Sequence, residues 1–124
     1  MNRNIAITGI FITAATIAIG AFGAHGLKGL VAPEAVATFE TGVRYQMYHA
    51  LALVILGYVS GPNRLKRIVA TFFIIGILLF SGSIYLLSLN EVLPFDAGKI
   101  GFVTPIGGLI FIIGWLRWGY GLFR

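Results

Sequence analysis

The chain has 124 residues, 58% of them hydrophobic and 10% charged, with a mean hydropathy of +0.94. A soluble domain carries about 25% charged residues, so this chain has too few charges to coat a water-exposed globule. Its net charge of +5 belongs to short loops that orient helices in a bilayer, and excludes a nucleic-acid surface. The absence of cysteine removes disulfides, iron–sulfur clusters and thiolate metal sites.

The first apolar run is Ile5 to Phe22, about 18 residues long and longer than the roughly 7–15-residue core of a secretory leader. It reads as a membrane span. Ala14 and Ala18 are four apart, as are Thr16 and Gly20, a spacing that lets helices approach closely. Three glycines between Gly23 and Gly29 then stop the helix. Pro33 and Glu34 suit the first turn of the next helix: proline needs no amide partner there, and an acid suits the dipole.

From Pro33 the pattern runs unbroken to about Val59. That is about 40 Å at 1.5 Å per residue, against about 30 Å of hydrocarbon. The first two turns are therefore expected in the headgroup layer. Ser60-Gly61-Pro62-Asn63 is a turn, with Arg64, Lys66 and Arg67 next to it. A third span covers about 68–89, and the following loop holds Glu91, Asp96 and Lys99. Thr104 is predicted as the cap of the last span and Pro105 as its first residue.

Gly107, Gly114 and Gly121 recur every seven residues and so share one face. That face is expected to meet a second copy of the chain in a homo-oligomer. Trp115, Trp118 and Tyr120 read as an interfacial belt, with Arg117 and Arg124 snorkelling.

The expected fold is all-α: an antiparallel four-helix bundle in the membrane, formed by residues 1–124 as one domain, with spans near 5–22, 41–59, 68–89 and 104–122. Arg3, Arg64, Lys66, Arg67, Arg117 and Arg124 fall at one end with no acid. The positive-inside rule puts that end, and both termini, in the cytoplasm.

The stretch from Gly20 to Leu53 holds both histidines and two of the four acids. At about 100° per residue, Glu40, Arg44, Met47 and Tyr48 share one side of the second helix. Tyr45, His49 and Leu53 share the other, with Gln46 on their flank. Lipid satisfies polar groups on neither face. Glu40 and Arg44 are spaced as an ion pair in the favourable order. An ionisable group inside a span is a functional candidate, and His49 is one. The bland alternative is a neutral histidine bonded to Ser81, Ser83 or Tyr85 of the third span. His25 lies beside glycines at the end of the first span. Two histidines without an acid cluster make a poor metal site, so none is expected. Nucleotide-binding glycine loops and a GxSxG elbow are absent.

These stretches resemble one family. GAFGAHGL (Gly20 to Leu27), YQMYHALAL (Tyr45 to Leu53), FSGSIYLL (Phe80 to Leu87), TPIGG (Thr104 to Gly108) and Gly114-Trp115 are similar to the YwdK/YgdD family of small membrane proteins, domain of unknown function 423. It has a vertebrate relative among the numbered transmembrane proteins. The resemblance covers nearly the whole chain in the same order. It implies a four-helix inner or plasma membrane protein, implies no activity, and emphasises the polar positions named above and Pro105.

The expected function is that of a non-enzymatic multi-pass protein of the cell membrane. Its partners are membrane lipids, and no cofactor is expected. A polar cluster in the outer half of the bundle, drawn from His25, Glu40, Arg44, Tyr45, Gln46, His49, Ser81, Ser83, Tyr85 and Thr104, would lock the helices or bind a lipid or small ligand. The alternatives are a small oligomeric channel or transporter, and a haem- or quinone-binding membrane component.

Overall fold

A computed structural model describes residues 1–123. Four long helices make up most of it: α1 (Arg3–His25), α2 (Pro33–Tyr58), α3 (Asn63–Ser88) and α4 (Val103–Leu122). Short 3₁₀ turns at Leu27–Gly29, Asn90–Val92 and Ala97–Ile100 fill the connections. No strand occurs among the described residues.

Local chemistry explains the helix ends. Asn2 caps α1: its side-chain oxygen accepts from the Ile5 amide at 3.2 Å. Its own backbone N–H donates to the Gly57 carbonyl at 2.7 Å, tying the start of α1 to the end of α2. Pro33 opens α2, as expected. Thr104 is not a cap. It lies inside α4, behind Phe102, and its hydroxyl meets Ser83 of α3 instead.

Successive helices run antiparallel. α1 packs mainly on α2 and α4 mainly on α3, while α2 and α3 meet in the middle. Three stretches are long and apolar enough to cross a membrane: α1, α3 and the segment Ala97–Leu122. α2 is more polar, because it carries Glu40, Arg44, Gln46 and His49. Leu53, Leu56, Val69, Phe73 and Phe111 form the larger apolar core, and Leu27, Val31 and Phe39 a smaller one near the far end.

Glycine allows backbones to touch where lipid gives no hydrophobic drive for helices to associate. A Cβ at Gly57 would lie 2.6 Å from the Ala6 nitrogen, and one at Gly9 would lie 2.7 Å from the Val54 nitrogen. The buried stripe of α1 includes Gly9, Thr16 and Gly23, spaced by seven, whereas Ala14 and Ala18 are exposed. The packing stripe expected through those two alanines is thus corrected: the backbone contacts at Gly9 turn them outward. The expected oligomer face is corrected too. Gly107 lies against the Phe80 backbone, Gly114 against Phe72 and Phe73, and Gly121 against Leu65. That face is filled by α3 of the same chain.

One feature of α3 has no counterpart in the periodicity. Ile77–Ser81 forms a wide π turn, in which the Gly82 N–H donates to the carbonyl of Ile77, five residues back. Such a turn accommodates one extra residue and re-aims every side chain after it.

Candidate functional site

The polar groups form a ladder that runs down the bundle. Near the far end, Thr104 Oγ1 donates to Ser83 Oγ at 2.6 Å, since the Ser83 hydroxyl is itself directed to the Phe80 carbonyl at 3.0 Å. This joins α4 to α3. Deeper, Ser81 Oγ donates to the Gly42 carbonyl at 2.7 Å, joining α3 to α2. At the middle, the Tyr85 hydroxyl donates to Gln46 Oε1 at 2.6 Å, and Gln46 Nε2 donates to Thr16 Oγ1 at 2.7 Å. Thr16 passes its own proton to the Ile12 carbonyl at 2.6 Å. Gln46 thereby links three helices through one amide. Every donor in this chain points the same way, so the bonds polarise one another.

The lowest rung is His49, which is 4% exposed. Its Nδ1 lies 2.7 Å from the Tyr45 carbonyl, and its Nε2 lies 3.0 Å from the Trp115 indole nitrogen. A carbonyl only accepts and an indole N–H only donates. The ring is therefore the neutral tautomer with its proton on Nδ1. Phe111 stacks on it, with centroids 3.6 Å apart and planes 9° from parallel, and Phe73 meets it edge-on at 5.1 Å. With both nitrogens engaged, His49 keeps no lone pair for a metal. Nitrogen NMR on labelled protein should show Nδ1–H together with an unprotonated, hydrogen-bonded Nε2. Trp115→Phe should keep the aromatic packing, move the Nε2 signal and lower stability by about 1 kcal/mol.

The partner of His49 is thus not Ser81, Ser83 or Tyr85, which sit on other rungs. His49 is the deepest of these groups: at 1.5 Å per residue it lies about 13 Å from the end of α2. His25, Glu40 and Arg44 stand apart from the ladder. All three are exposed, and no ion pair joins Glu40 to Arg44 among the described residues. Thr16 and Trp115 belong to the ladder and were missed. Small-residue spacing gives no sign that Thr16 accepts a bond, and a tryptophan near a helix end suits an interfacial belt. Trp115 does stack on Trp118, with centroids 5.5 Å apart.

Beside the ladder, a groove of about 770 Å³ opens between α2 and α4. Tyr45, Tyr48, Phe80, Leu109, Ile112 and Trp115 line it, with His49 at its floor. The Tyr45 and Tyr48 hydroxyls have no hydrogen-bond partner among the described residues. No group of three or more His, Cys, Asp or Glu suited to a metal ion occurs among those residues.

The profile of DUF423, a protein family of unknown function, matches residues 19–108. The chain belongs to the DUF423 family. It is 41% identical over 111 residues to a UPF0382 membrane protein of Staphylococcus haemolyticus, covering 89% of this chain and 87% of the relative. It is 38% identical over 122 residues to a UPF0382 membrane protein of Haemophilus influenzae, covering 97% and 90%. The UPF0382 membrane protein YwdK of Bacillus subtilis is 39% identical over 103 residues, covering 81% and 80%. No solved structure matches. The DUF423 match spans the rungs from Gln46 to Thr104 and stops before Trp115. With relatives named as membrane proteins and three apolar helices of spanning length, this DUF423 chain is a multi-pass protein of the cell membrane.

Proposed function

We propose that the protein is a non-enzymatic, four-span membrane protein that holds one apolar molecule bearing a hydrogen-bond acceptor in the groove between α2 and α4. The observation that carries this reading is the pair of unpartnered tyrosine hydroxyls. With the first two turns of α2 in the headgroup layer, Tyr45 lies about 7 Å below that layer. Acyl chains at that depth offer no acceptor. A lipid ester carbonyl or a quinone carbonyl would supply one, and the aromatic lining suits either. The His49–Trp115 bond closes the floor, so haem ligation by His49 would require breaking it. The ladder holds the groove walls in place.

Both termini are assigned to the cytoplasm. Arg3, Arg64, Lys66, Arg67 and Arg117 cluster at their end, while Glu34, Glu40, Glu91 and Asp96 lie at the other. α2 is the fourth span, because it is enclosed between α1 and α3 despite its polar groups.

Native mass spectrometry of protein released from mild detergent tests the reading. A reproducible bound mass is expected, and its value separates a phospholipid from a quinone. Tyr45→Phe with Tyr48→Phe should weaken its retention about 10-fold, the scale of two modest hydrogen bonds. Bare protein from freshly solubilised membranes, or a bound mass indifferent to both substitutions, would overturn it.

A further inference from the structure

A second cavity lies at the opposite end of α4 and does not depend on the groove. Pro62, Arg64, Leu65 and Ile68 from the start of α3 line it with Arg117 and Gly121 of α4, enclosing about 430 Å³. It exists because Gly121 adds no side chain beside Leu65. Arg117 is half-buried and Arg64 exposed. Neither is ion-paired among the described residues, and all four acids of the chain lie at the other end.

Two guanidinium groups lining one cavity repel each other unless an anion lies between them. The surroundings add to the demand. Arg67 and Lys66 follow directly, and α3 begins here with free amide N–H groups and its positive dipole end. Lys66 is 3% exposed, yet no buried side-chain nitrogen or oxygen among the described residues lacks a partner. With no bond shown to its ammonium, that group is the part reaching water, while the stem is buried. It therefore adds positive potential at this end. Guanidinium is the group whose planar fork matches phosphate oxygens. Leu65 and Ile68 continue the wall from the arginines toward the bilayer interior, along the course of an acyl chain.

We infer that this cavity is a binding site for a phosphate-bearing anion, clamped by Arg64 and Arg117. The phosphodiester of an anionic phospholipid headgroup and free inorganic phosphate share this chemistry. The apolar wall below the arginines fits the lipid.

The test is binding of phosphatidylglycerol and of phosphatidylcholine to the full chain in detergent, read by native mass spectrometry. Wild-type protein should prefer phosphatidylglycerol. Arg64→Gln with Arg117→Gln should lose about 25-fold in that preference, about 5-fold per arginine, the scale of one basic side chain at an anionic surface. Arg67→Gln, outside the cavity, should stay within about 2-fold. Melting in phosphatidylcholine micelles checks that the double variant folds. Should it not, the two single variants, at about 5-fold each, carry the same test. Inorganic phosphate at matched concentration should displace little phosphatidylglycerol. Full displacement would keep the clamp and make the free anion its occupant. Equal binding of the two lipids by wild type, or a loss in Arg67→Gln as large as in the double variant, would overturn the site.

Discussion

Gly107→Ala is expected to lower stability by about 2 kcal/mol, while Gly119→Ala on the same helix leaves it unchanged or slightly higher. At Gly107 an added methyl group would meet the Phe80 nitrogen, the Phe80 Cα and the Leu79 carbonyl carbon. All are backbone atoms inside the π turn, so no side chain can rotate away. α4 must move off α3, and overpacking of that kind costs about 1–3 kcal/mol. Helix propensity alone favours alanine over glycine at both sites. At Gly119 nothing lies within 4 Å of the added atom. The contrast therefore isolates the helix contact from propensity. Detergent-induced unfolding of the two variants measures it, and equal melting would place α4 elsewhere.

Gln46→Leu is expected to cost about 2 kcal/mol, from two interhelical hydrogen bonds lost at once. Such bonds in membranes average about 0.6 kcal/mol and reach about 1.7. Here the Tyr85 hydroxyl also loses its acceptor. Thr16 suffers less, because its proton already goes to the Ile12 carbonyl. Thr16→Val should therefore cost less than Gln46→Leu. The double variant should be no less stable than Gln46→Leu alone, because both remove the same bond. Full additivity in thermal unfolding would show that the two side chains do not interact.

Much of the fold was legible because it rests on run length and on punctuation. Pro33 opens α2 where proline needs no amide partner, and the Ser60–Asn63 turn separates α2 from α3. The site was legible only in part. Gln46, His49, Ser81, Ser83, Tyr85 and Thr104 stood out as polar groups in oil, and all six form the ladder. Their pairing was not readable, because the π turn shifts the phase of α3 and hydropathy carries no trace of it. The bond from Trp115 to His49 was not legible for a related reason. A tryptophan near a helix end suits an interfacial belt and an interior hydrogen bond equally by sequence, and only the position of His49 decides. The glycines of α4 were correctly placed on one face. Seven-residue spacing does not say whether that face meets a neighbour in the same chain or in another.

The π turn gives α3 two reading frames. Before Ile77, the buried positions Val69, Ala70, Phe73 and Gly76 keep ordinary helical spacing. After it, the frame is offset by one residue, about 100° of rotation. Ser81 reaches α2 from within the turn, and Ser83 and Tyr85 reach α4 and α2 from beyond it. Loss of one residue between Ile77 and Ser81 would restore a regular helix and turn those three hydroxyls away from their partners together. Length is thus a fixed quantity there, as in a loop that coordinates a ligand. Between Asn90 and Gly101 the restraints are local: the Ala97 and Gly98 amides donate to the side chains of Asn90 and Asp96, and the Val92 and Gly101 amides to the carbonyls of Leu89 and Gly98. Within DUF423, insertions and deletions should therefore gather in that connection and spare the middle of a helix, the reverse of what the hydropathy of α3 alone would suggest.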